Sequence, residues 1–158
     1  MNSRKIAKAL LLTLLFAAPG LAGAQAKAPT PAALDPAIDA CAQCKMSNKD
    51  SGYAAQAIAA DGRVYWFDDI GCLFAFQSAE GSVKIAARYV QDAQFHKWLA
   101  LEKAFFVQSK EVATPMGYGI HAFASKAAAT SFAKARKDGA KVVGVGDLVV
   151  VPAPEMKM

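Results

Sequence analysis

The sequence predicts an α+β protein made of two similar small ββαβ units in tandem. Three observations carry that prediction. Runs of β-branched and aromatic residues are separated by turn residues and by helix-length apolar patterns. The order strand, strand, helix, strand occurs twice along the chain. At an offset of 56, "YWFDDIGCLFAF" lies over "HAFASKAAATSF", so Phe67 matches Phe123 and Phe76 matches Phe132. Two extra residues in the second helix then bring Gly81 opposite Gly139, an internal repeat in element order as well as in letters.

The elements follow in order. Residues 53–60, "YAAQAIAA", form the first expected strand, and Asp61-Gly62 is a strong hairpin turn. Residues 63–67, "RVYWF", return as the second strand. Asp68 or Asp69 then caps a helix over 70–79, with Cys72, Leu73 and Phe76 on one face and Gly81 after its end. Residues 83–90, "VKIAARYV", complete the first unit. In the second, 98–108 ("WLALEKAFFVQ") is expected as one strand, 109–118 as a long loop and 119–124 ("GIHAFA") as a strand. Ser125 caps a helix to about 137, Asp138-Gly139 ends it, and 141–145 is the last strand.

The N-terminus has a different character. Arg4, Lys5 and Lys8 precede an apolar run that ends at Pro19-Gly20 and an Ala22-Gly23-Ala24 cleavage signal. This pattern predicts a cleaved secretory signal peptide over 1–24 and a protein of the bacterial periplasm or cell exterior. The run is short for a bilayer span, and no later stretch is long and apolar enough to form one, so the mature form is expected to lack a transmembrane segment. No cysteine stands at the cleavage site, which speaks against a lipid anchor. Losing these residues removes three cations and no anion, so the formal net charge falls from +5 to +2. The remaining basicity is too diffuse for nucleic-acid binding. Residues 25–40, rich in Ala and Pro, read as a flexible linker; 41–95 and 96–150 as the two units; 151–158 as a flexible tail.

The chemistry concentrates in "CAQCKM". The chain has three cysteines, Cys41, Cys44 and Cys72. An odd count in an oxidising compartment leaves a thiol outside any intrachain disulfide framework. A thioredoxin-like site needs its C-x-x-C at a helix N-terminus after a strand, and here a Pro/Ala-rich linker precedes it. Zinc needs further ligands at known spacing, and neither His96 nor His121 has a partner at such spacing. Cu(I), soft and satisfied by thiolate and thioether sulfur, fits better. Cys41, Cys44 and Met46 put three sulfurs within six residues on a loop expected to be mobile, and Met116 adds a fourth from the corresponding loop of the second unit. His121, next to that loop, reads as a strand histidine or a secondary ligand. Cys72 reads as a buried, inert helix thiol, Asp68 and Asp69 as caps, and Met156 and Met158 as part of the tail.

"CAQCKM", "DGRVYWFDDIGC" and "TPMGYGIHAF" before an Ala-rich helix together resemble the NosL family over about residues 41–145. The resemblance implies a periplasmic Cu(I) metallochaperone of two ββαβ domains with no catalysis of its own. It further implies delivery of copper for the copper–sulfur centre of nitrous-oxide reductase, alongside a membrane maturation transporter and its periplasmic partner. The family's metal-binding positions fall here on Cys41, Cys44, Met46 and Met116, with His121 as an additional candidate. Many members are lipoproteins, whereas this leader has no lipobox. The competing function is a periplasmic thiol–disulfide reductant that keeps a copper-acceptor protein reduced. It would use Cys41 and Cys44 but would not need the methionines.

Overall fold

The computed structural model describes residues 27–48, 52–148 and 150. The expected signal peptide over 1–24 and the expected tail over 151–158, with Met156 and Met158, lie outside these residues. Two antiparallel sheets and two α-helices make up the described part. The first sheet contains β1 (Ala55–Ala59), β2 (Val64–Phe67), β3 (Ile85–Gln91) and β4 (Trp98–Ala100) in the order β2-β1-β3-β4. The second contains β5 (Phe105–Gln108), β6 (Ile120–Phe123) and β7 (Val142–Val143) in the order β6-β5-β7. Helix α1 (Ile70–Ala79) follows β2, and α2 (Lys126–Lys134) follows β6.

Local sequence explains most boundaries. The β1–β2 hairpin turns at Asp61-Gly62, where Gly62 has φ +89°, a region that suits a residue without Cβ. Asp69 caps α1 by accepting from the Gly71 N–H at 2.9 Å. Ser125 caps α2 through the Ala128 N–H. The two caps stand 56 residues apart, the offset of the sequence alignment.

The helices differ in how they are covered. α1, "IGCLFAFQSA", is apolar on nearly every side, the composition of a helix enclosed by protein. Its Ile70, Cys72, Leu73 and Phe76 join a core with Ala55, Ala57 and Phe67 of the first sheet and Phe106, Ile120 and Ala122 of the second. α1 thus lies between the sheets. α2 packs on the far side of the second sheet, where Val107 and Phe123 meet Ala129 and Ala133. The strand period of two divides β6 accordingly: Ile120 and Ala122 face α1, while His121 and Phe123 face α2. The sheets also touch at a parallel bridge between Asp92 and Ala122, where buried Asp92 accepts the Ala124 N–H at 2.8 Å.

Two features depart from the sequence expectation. The single strand expected over 98–108 is broken. β4 pairs with β3 in the first sheet, a 3-10 turn over Leu101–Lys103 redirects the chain, and β5 enters the second sheet. Leu101 is fully buried in the turn, so the core holds the chain at the break. The handover between sheets falls at 101–104. Second, the stretch expected as a linker packs on the outer face of the first sheet as far as it is described. Ala32 exchanges two hydrogen bonds with the Gln56 side chain, and the Tyr89 hydroxyl donates to the Pro29 carbonyl at 2.6 Å.

Candidate metal centre

Three segments converge on the first turn of α1. The first is the cysteine loop. It attaches to the exposed edge of β2: Cys41 forms a parallel bridge with Trp66, and the Ala42 N–H donates to the Trp66 carbonyl at 2.7 Å. The loop closes on itself as the Cys41 N–H donates to the Met46 carbonyl and the Lys45 N–H to the Cys41 carbonyl. Lys45 sits at φ +67° to make that turn. These bonds fix the start of the loop, which the sequence led one to expect as mobile, and Cys41 is only 1% exposed. Cys44 is half-buried, and Met46 points outward at 47% exposure.

The second segment is the β2–α1 junction, which carries Asp68, Asp69 and Cys72. The third is the loop over 114–118. Asp69 ties it down: one carboxylate oxygen caps α1, and the other accepts from Thr114 Oγ1 at 2.6 Å and from the Met116 N–H at 3.0 Å. Burial holds the Asp69 carboxyl above its ordinary range while these three donors pull it back. Gly71 completes the clamp, because a Cβ there would overlap the Tyr118 ring. The half-buried Met116 is thereby anchored beside the start of α1 and packs against the core that contains Cys41 and Cys72.

At the meeting point, the sulfurs of Cys41, Cys44 and Cys72 and a carboxylate oxygen of Asp68 all lie within 4.8 Å of one another. All three cysteines are free. Cys44 Sγ donates to Asp68 Oδ1 at 3.3 Å, and the Cys44 N–H reaches Cys41 Sγ at 3.4 Å. The Cys72 thiol, its sulfur within 4.8 Å, outweighs burial and lowers the Cys41 pKa from 9.0 to about 7. The closeness of Cys41, with burial, pushes Cys72 strongly upward. Burial raises Cys44 to about 12. Of the three thiols, Cys41 is thus the most readily ionised.

The expected site residues separate clearly. Cys41 and Cys44 come together. Met46 flanks them on the same loop, and Met116 is held at the α1 N-terminus by its backbone. His121 is on the opposite face of β6 from Ile120 and Ala122, the residues that pack toward the cysteines. Its ring stacks against Phe132 at 4.7 Å and Tyr53 at 5.4 Å, and its Nε2 is buried without a hydrogen-bond partner among the described residues. Burial lowers its pKa from 6.5 to about 4, so it is neutral. Cys72 and Asp68 are the residues that the sequence reading passed over. Cys72 is buried as expected, but it contacts another thiol instead of sitting alone among apolar groups. The odd cysteine count was the one signal pointing to it.

Fold and site together define a small α+β protein whose two sheets enclose a helix, with a cluster of three cysteines and a carboxylate fit to ligate a metal at that helix's N-terminus. A family model for NosL matches residues 31–150, and the chain belongs to the NosL family. Among solved structures it is similar to the crystal structure of the copper chaperone NosL from Shewanella denitrificans, with a TM-score of 0.65 and 19% identity over 76% of this chain and 96% of that one. At that identity the likeness speaks for the fold. Comparison with curated proteins gives no match.

Proposed function

We propose that this protein is an exported Cu(I) carrier, a metallochaperone and not an enzyme, that holds copper through Cys41, Cys44, Met46 and Met116. The observation that carries the reading is the convergence of three cysteine sulfurs within 4.8 Å at the start of α1, where Asp69 also holds the Met116 backbone. Thiolate with thioether is a soft donor set that favours Cu(I) over harder cations. Family membership and the copper chaperone with the same fold point the same way. The Cys41 thiolate is the natural first ligand, and copper then displaces the Cys44 proton to solvent. Neutral thioethers add ligation without adding charge, which suits a carrier that must release its cargo to stronger ligands.

On the family resemblance, the cargo goes to the copper–sulfur centre of nitrous-oxide reductase with the help of a membrane transporter, in the periplasm after cleavage of residues 1–24. The tandem ββαβ reading belongs to the same proposal. It is supported by the matching strand orders β2-β1-β3 and β6-β5-β7, each with a capped helix after its second strand.

A thiol–disulfide reductant remains as a second reading, favoured by a Cys41 pKa of about 7 beside two further thiols. Anaerobic titration of the reduced, exported protein with Cu(I), against a chromophoric Cu(I) chelator, separates the two. Tight binding of about one Cu(I) per chain, with far weaker Zn(II) binding, is expected. Failure to compete with the chelator would remove the carrier reading.

A further inference from the structure

We propose that Cys72 is a third thiolate ligand: Cys41 and Cys72 form the inner side of a single three-thiolate copper position whose outer side is Cys44, with Met46 at its rim. The proposal rests on the Cu(I)-carrier reading and extends its ligand set into the core. Its basis is geometric. Three atoms no more than 4.8 Å apart share a point within about 2.8 Å of each, against about 2.3 Å for a metal–thiolate bond. Each sulfur need move only about half an ångström, within reach of small side-chain torsions. A three-coordinate sulfur site is within the ordinary range for Cu(I).

Exposure grades the same atoms by depth. Met46 is 47% exposed and Cys44 half-buried, whereas Cys41 and Cys72 are each 1% exposed. Copper arriving from a donor meets Met46 and Cys44 first. To bind Cys72 it replaces the proton of that thiol, whose sulfur lies within 4.8 Å of the Cys41 sulfur. That proton leaves to solvent, and no oxidant or reductant is required. The inner side shields Cu(I) from water and competing ligands. The outer ligands remain accessible to an acceptor, so release proceeds by handing the ion back along the same path. Two different elements supply the inner pair, the β2-edge loop and the first turn of α1, so occupation also pins the cysteine loop to the helix.

The test uses selenomethionine-labelled exported protein loaded with one Cu(I), so that copper K-edge absorption counts Cu–S contacts from cysteine separately from Cu–Se contacts from methionine. Three Cu–S contacts are expected in the parent and two in Cys72→Ala, with Cu(I) affinity at least tenfold lower and transfer to a chelator faster. Cys72→Ser serves as a second variant. Circular dichroism and the Tm of each metal-free variant identify any loss of fold, and the parent's three-sulfur count stands independently of both variants. If the parent binds Cu(I) tightly with only two Cu–S contacts, and Cys72→Ala matches it in affinity and transfer, the third thiolate is wrong while the carrier reading survives. If the parent does not bind Cu(I), the carrier reading itself fails.

Discussion

His121 offers a quantitative test of how the second sheet is packed and of where the proposed copper site ends. Its imidazole is 1% exposed between Tyr53 and Phe132, and burial lowers its pKa from 6.5 to about 4. The depressed value means the folded state resists a proton that the unfolded chain accepts. His121 costs nothing above pH 6.5, and its stabilising contribution is lost as the pH falls toward 4 and below. At 1.36 kcal/mol per pH unit, the loss relative to neutral pH is about 2 kcal/mol at pH 5 and about 3 kcal/mol at pH 4. Replacement by Leu, of similar volume, removes the titrating group. Carboxylates affect parent and variant alike, so the difference between the two isolates His121. Urea unfolding at pH 7.5, 5 and 4 should show a gap that moves in favour of His121→Leu by these amounts as the pH falls. The fixed cost of lost ring contacts appears at every pH and cancels. Because the ring faces α2 and not the cysteines, Cu(I) affinity at pH 7.5 should match the parent's. Parallel pH profiles would refute the buried neutral imidazole, and a tenfold loss of copper affinity would make His121 a ligand.

Asp69→Ala removes the α1 cap and leaves the Thr114 hydroxyl and the Met116 N–H without their acceptor, so stability should fall by about 3 kcal/mol and Cu(I) affinity should fall with it. An unchanged Tm would show that the 114–118 loop is not held there. Met116→Leu keeps similar bulk and should change stability by less than about 1.5 kcal/mol. Its Cu(I) affinity, read by chelator competition, should drop, and parental affinity would confine the ligands to the cysteine cluster and Met46.

Much of the fold was legible because its causes are local. Asp61-Gly62 specifies a hairpin, Asp69 and Ser125 cap helices, and the all-apolar stretch 70–76 belongs to an enclosed helix whatever surrounds it. The Cys41–Met46 motif likewise drew attention to soft-metal chemistry, and the structure places Cys41 and Cys44 in a cluster that could hold a metal ion. What needed the tertiary structure depends on contacts between distant segments. Residues 98–108 read as one strand-forming run, yet two sheets divide them and Leu101 is buried where the chain turns. Period two tells that His121 and Ile120 face opposite ways, but not which face meets the cysteines. Cys72 is 28 residues beyond Cys44, and no spacing rule links a helix thiol to a loop pair across such a gap. Only the docking of the cysteine loop on the β2 edge, where β2 runs into α1, brings the three sulfurs within 4.8 Å. Periodicity and capping are properties of neighbouring residues, whereas a ligand cluster forms where separate segments pack together.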